Sequence, residues 1–177
     1  MVYIPVLMSA LVVGITINWM FSQEYGLVNF IIRSLGGTAL EWSLNPRLAT
    51  FVIAFASVWA SIGFNMILYI GGINSISNDL YEAATIDGAS GVQAFFRITV
   101  PMLAPTTFMV VLLSTVNLLK EYALVQGITQ GGPGLSTTFI IQYIFDKGFN
   151  QMQYGYASAI STVVMIIFAL IAFAQFK

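Results

Sequence analysis

An all-α, integral membrane helical bundle is the fold class this sequence predicts, and three observations carry it. Only 7% of the 177 residues are charged against 58% hydrophobic, and the mean hydropathy is +0.88. An ordinary soluble domain carries about a quarter charged residues, so this surface suits lipid and not water. The charges are also bunched: residues 1–23, 48–78, 98–119 and 148–176 contain no Asp, Glu, Lys or Arg. A bilayer core takes about 20 apolar residues per helix, so each stretch supplies one span. Finally, VVMIIFALIAFA (163–174) does not alternate apolar and polar as barrel strands do. The expectation is a single domain, 1–177, with four transmembrane helices and short helices between them.

Taken in order, span one covers about 1–21. It lacks the Lys/Arg start and cleavage site of a signal peptide. GLVNFIIRSLGG (26–37) is apolar but too short to cross, so it predicts an interfacial helix. Pro46 introduces span two, about 49–70, which is expected to end at Gly71-Gly72. A polar island follows, with a loop at about 73–100. Asp79 is placed to cap a short helix with Glu82 in capping-box spacing, and Gly88 suits its C-terminal stop. Ser90 and Gln93 repeat the box and open a second short helix that runs to Pro101. Span three is about 101–122. TQGGPG (129–134) is a turn cluster. STTFIIQYIFDKG (136–148) predicts a third interfacial helix, capped by Thr137 and stopped at Gly148. Span four, about 155–176, opens with small residues four apart, Gly155/Ala159 and Ala157/Ser161, a spacing that lets helices approach closely.

Composition also excludes chemistry. There is no Cys and no His, which removes disulfides, thiolate chemistry, haem ligation and most zinc sites. No G-x-x-x-x-G-K-[ST] loop is present to cradle ATP phosphates. The net charge is −1 without a basic run, so nucleic acid is not implied. No enzyme activity, catalytic residue, metal or cofactor is expected; energy for any work must come from a partner.

The island is where function concentrates. Asp79, Glu82 and Asp87 are three of the seven acidic residues and fall within nine positions, among alanines and glycines. The residues alone leave three readings open: a capped, solvated loop, a catalytic carboxylate pair, or a thin helical elbow that docks into a partner's groove with Phe95 and Phe96 behind it. A catalytic pair would need an enclosed pocket, and no nucleophile or metal ligand accompanies these carboxylates.

Glu82-Ala83-Ala84, Gly88 and Ile98-Thr99-Val100-Pro101 resemble the EAA motif of permease subunits of bacterial ABC importers. Every spacing fits, and Val100 in place of the usual Leu is the sole departure. FSQEYGLVN (21–29), TQGGPGLSTT (129–138) and YGYASAIS (154–161) are similar to landmarks of the carbohydrate-importer branch, maltose-type and glycerol-3-phosphate-type. The resemblance covers essentially the whole chain. It implies a multi-pass subunit of the bacterial cytoplasmic (inner) membrane that pairs with a second permease, two ATPase subunits and an extracytoplasmic solute-binding protein, and that moves a small solute, a sugar or polyol. It implies that Glu82, Ala83, Ala84, Asp87, Gly88, Ile98 and Pro101 form the ATPase-coupling element, with Glu82 facing a basic group. Importers of another solute class share the motif, and a small four-helix scaffold is the reading outside transport.

Two departures accompany the resemblance. Members of this branch carry six or more spans, so two N-terminal helices are expected to be missing. The resemblance puts 79–100 and the C-terminus inside, leaving only Arg97 and Lys177 there, whereas the positive-inside tendency votes the other way.

Polar groups inside spans face a pathway or a neighbouring helix. Ser57, Ser61 and Asn65 share one face of span two, and Asn117, Lys120 and Glu121 lie near the end of span three. The resemblance puts solute contacts near Ser57, Ala60, Ser61, Phe64 and Glu121. Trp59 and Phe64 are candidates to stack on a sugar ring. The alternatives are serines bonded to their own backbone, a packing role for Trp59, and a Lys120–Glu121 pair at the outer rim.

Overall fold

The computed structural model describes residues 3–175; Met1, Val2, Phe176 and Lys177, which bound the first and last expected spans, lie outside the described residues. Among the described residues the structure is helical, with no strands.

The first apolar stretch is not one helix. α1 (Ile4–Leu7) ends at an extended Met8, and α2 (Ala10–Met20) restarts with Ser9 Oγ accepting from Val12 N. A serine that can cap a new helix competes with continuation of the old one. At about 1.5 Å per residue the 11 residues of α2 reach about half the depth of a bilayer core. α3 (Leu27–Ser34) is the short apolar helix expected at 26–37. It closes with Gly36 at φ +83°, the Gly36 amide on Arg33 O and the Gly37 amide on Ile32 O, a Schellman cap.

α4 (Pro46–Asn74) starts on an Asn45 cap and runs 29 residues. It passes straight through Gly71-Gly72, where the sequence reading ended it. Gly72 serves a close approach instead: a Cβ there would lie 2.5 Å from Thr106 Oγ1 and 2.8 Å from a Leu103 methyl. α5 (Asn78–Ile86) and α6 (Gly91–Ala94) follow. The cap of α5 is Ser77, whose Oγ accepts from Asp79 N, and not Asp79 itself. A π-helical turn (Phe95–Thr99) and α7 (Val100–Met102) continue the second helix past Pro101. The wide turn absorbs the proline, which has no amide to donate. The axis then bends by 59° into α8 (Ala104–Leu119).

The six-residue α9 (Ala123–Ile128) leads into the glycine-rich loop, α10 (Ile140–Phe145), a second π-helical turn (Asp146–Asn150) and α11 (Tyr154–Gln175). Thr137 does not cap α10, which begins after Phe139; Thr137 is buried and donates to Gly132 O while pairing with Thr129 Oγ1. Gly148 is not a stop. It is buried in the π-helical turn, where a Cβ would meet the Ala157 methyl at 3.3 Å.

By length and composition, α4 and α11 are each long and apolar enough to cross a bilayer, and the bent pair from Gly91 to Leu119 is a third crossing if it is one span. The packed core sits where α2, α4 and α9 meet, built on Val13, Ile17, Phe21, Val52, Ile53, Leu124, Val125 and Ile128. Polar pairs tie the long helices: Asn65 donates to Ser114 (3.5 Å), Tyr69 to Thr107 (3.4 Å) and Gln175 to Thr115 (2.9 Å).

Candidate functional site

Two places gather the polar residues that the sequence singled out. The first is a cavity of about 750 Å³ between α4, α8 and α9. Positions 57, 61, 64 and 65 follow i, i+4, i+7, i+8 spacing and therefore share a stripe of α4, and Ser57, Ser61, Phe64 and Asn65 all line this cavity, as does Ala60. Asn117, Lys120 and Glu121 at the end of α8 line it from the other side. The remaining wall comes from α9 and the loop after it, through Leu124, Ser136, Thr137 and Phe139, with Pro5, Met8 and Val13 from the first apolar stretch.

Trp59 is not among the lining residues. Two positions from Ser57 and Ser61 is about 200° around a helix, and Trp59 is half-buried against the α2–α4–α9 core. The stacking role expected of it is corrected to packing; Phe64 from α4 and Phe139 from the loop are the aromatic rings at the cavity. Sequence reading passed over Ser114, although its spacing from Asn117 marks a shared helical face. It also passed over Ser136 and Thr137, which reach the cavity only because of how the loop folds.

The side chains differ in what they leave open. Ser61 Oγ donates to Ser57 O at 2.8 Å and to Val58 O at 3.2 Å, so its proton is taken by its own helix and its lone pairs face the cavity as acceptors. Glu121 Oε1 accepts from Leu124 N at 2.9 Å. The lining thus combines hydroxyls, amides, the rings of Phe64 and Phe139 and one charge of each sign, a set able to hydrogen-bond a polar neutral solute without committing a buried net charge.

The second place is the elbow between α5 and α6. Gly88 has φ +74°, Gly88 N donates to Thr85 O and Ala89 N to Ala84 O, which is a Schellman cap. Ser90 Oγ accepts from Gln93 N while Gln93 Oε1 accepts from Ser90 N, completing the expected capping box. Tyr81 and Thr99 share a 2.8 Å hydrogen bond that fastens α5 to the π-helical turn. Glu82, Ala83 and Asp87 are exposed, Ala84 and Ile98 half-buried, and Pro101 exposed. Exposed too are Phe95 and Phe96, whose rings meet edge to face at 5.1 Å. The inner side of the elbow is a notch of about 420 Å³ that carries Asp87 and Arg97.

The family model of binding-protein-dependent transport system inner membrane components matches residues 1–177. The probable ABC transporter permease protein YurN of Bacillus subtilis is 33% identical over 177 residues, which is 99% of this chain and 61% of that protein. The trehalose/maltose transport system permease protein MalF of Thermococcus litoralis is 36% identical over 166 residues, 94% of this chain and 56% of that one. A crystal structure of the bacterial alginate ABC transporter in complex with alginate pentasaccharide-bound periplasmic protein superposes with a TM-score of 0.87 at 25% identity, covering 98% of this chain and 61% of the matched one. The chain therefore spans a little over half the length of the relatives it matches.

Proposed function

The chain belongs to the family of binding-protein-dependent transport system inner membrane components, and from that premise we propose that it acts as the permease subunit of an ABC importer for a sugar or related polyol. The observation that carries the proposal is the cavity. The polar residues of α4 and of the end of α8 line one hollow of about 750 Å³. A sugar needs partners for its hydroxyls, each of which costs about 1–3 kcal/mol if left unsatisfied. Ser57, Ser61, Asn65, Asn117 and Glu121 supply those partners and Phe64 a ring face. The relatives are named for trehalose or maltose and for alginate, which supports a carbohydrate as the solute.

In this reading the α5–α6 elbow is the contact with an ATPase subunit. Glu82, Ala83 and Asp87 stand on its exposed side, Gly88 sets its turn, and Ile98 and Pro101 lead from it into the bent helix that reaches the cavity. A second permease completes the pathway, two ATPase subunits supply energy, and an extracytoplasmic binding protein delivers the solute. The family's inner-membrane location and the two long apolar helices suit this arrangement.

The elbow is tested by assembly. An exposed carboxylate that meets a cation at an interface is felt most when its sign is reversed. Glu82→Lys is expected to reduce co-purification of the ATPase subunit more severely than Glu82→Ala. Equal recovery of the ATPase with both variants and with the parent chain would remove Glu82 from the interface.

A further inference from the structure

α9 has six residues, whereas isolated helices shorter than about 12–15 residues are marginal in water. Something outside α9 must hold it, and the structure shows a device at each end and one in the middle. At its start, Glu121 Oε1 accepts from Leu124 N at 2.9 Å, taking one of the amides that an opening turn leaves without a partner. At its end, the Asn18 side-chain amide of α2 donates to Ile128 O across 110 residues of sequence. Between them α2 and α9 touch through backbone. A Cβ on Gly14 would lie 2.7 Å from Leu124 O, and one on Gly127 would lie 2.8 Å from Leu11 O. Leu124, Val125 and Ile128 are buried at this contact, and Leu124 also faces the cavity.

We propose that Glu121 and Asn18 are positioning residues that clamp the two ends of α9 and so set the cavity wall formed by α9 and the loop that follows it. Glu121 lies on the cavity, and one oxygen of its carboxylate accepts an amide proton from α9, a positioning task separate from any contact with solute. Any acceptor of similar reach performs that task, and a negative charge is not required. Asn18 acts through its donor, so replacement by an isosteric acceptor removes its contribution. The consequence for solute rests on reading the cavity as the pathway. The test measures the wall itself and involves no transport, so its failure and a failure of that reading can be told apart.

The chain has no cysteine, so a single introduced thiol on its band reports without background. Val125→Cys places the thiol at a fully buried position on α9, and Ala157→Cys places one at a buried position on α11, away from the clamp. Each is reacted with a water-soluble maleimide in membranes containing the assembled importer. Removing one hydrogen bond of ordinary strength shifts a local opening equilibrium by about fivefold. Glu121→Ala and Asn18→Asp are each expected to speed labelling at Val125→Cys by about that factor and to leave Ala157→Cys unchanged. Glu121→Gln, which keeps an acceptor, is expected to label at the parent rate. Labelling in Glu121→Gln as fast as in Glu121→Ala would overturn the proposal. So would unchanged labelling at Val125→Cys, or equal acceleration at Ala157→Cys, which would mean general loosening.

Discussion

The α2–α9 contact and the α5–α6 elbow are both built from short helices and glycines, yet they are held together in opposite ways. Apart from Glu121 at its start, α9 is secured by partners distant in sequence: Gly14 against Gly127, Asn18 to Ile128 O, and a buried cluster of Val13, Ile17, Leu124 and Val125. The elbow is secured almost entirely by itself, through the Gly88 cap, the Ser90–Gln93 box and the bond between Tyr81 and Thr99. α5 and α6 have no buried residue. Under the proposed coupling role, a region that enters another protein's groove has to keep its shape while its surface stays free, and local capping does that. A region that forms a cavity wall can use tertiary contact because nothing else needs its buried face.

The contrast fixes where mutations should hurt the fold. The largest expected effect is at Gly14→Val, whose new atoms would press on the backbone of α9, with no flexible side chain there to yield. Overpacking of this kind costs about 1–3 kcal/mol, and backbone contact puts it at the upper end. A thermal unfolding midpoint for the purified assembly should fall clearly; an unchanged midpoint would mean that α9 is not held by this contact. The smallest effect is at Ser90→Ala. Loss of a capping side chain costs about 1 kcal/mol, and because the elbow packs on little else the loss should stay local. Hydrogen exchange should quicken at Gln93 and Ala94 without a measurable shift of the midpoint. A global shift would show the elbow to be coupled to the core more tightly than its exposure suggests.

The same contrast explains what the sequence revealed. The elbow was legible almost residue by residue, because caps and positive-φ glycines are written within a few positions: Gly88 and the Ser90–Gln93 box are where the spacing put them, and only the first cap moved, from Asp79 to Ser77. The polar stripe of α4 was legible from helical periodicity, which should also have excluded Trp59. The Asn18 end of the α9 clamp was not legible. Nothing near Asn18 announces a carbonyl 110 residues away, and Gly14 or Gly72 looks like a weak point in a helix until the neighbouring backbone or side chain is seen against it. Nor did hydropathy disclose the break at Ser9 or the 59° bend after Pro101, since both preserve the apolar content of their stretches.

If the cavity carries solute while the elbow carries the coupling to ATP hydrolysis, as proposed, one paired assay separates the two roles. Uptake of the labelled sugar that the parent importer accumulates, and ATP hydrolysis, are measured on the same proteoliposomes for Ser61→Leu and for Gly88→Val. Leucine fills the hollow with apolar atoms, while valine at φ +74° forces the elbow out of its left-handed turn. Ser61→Leu is expected to reduce uptake with basal hydrolysis retained, and Gly88→Val to break the link between hydrolysis and uptake while the chain still inserts. Parent-level uptake in Ser61→Leu, or normal coupled transport in Gly88→Val, would contradict that division of roles.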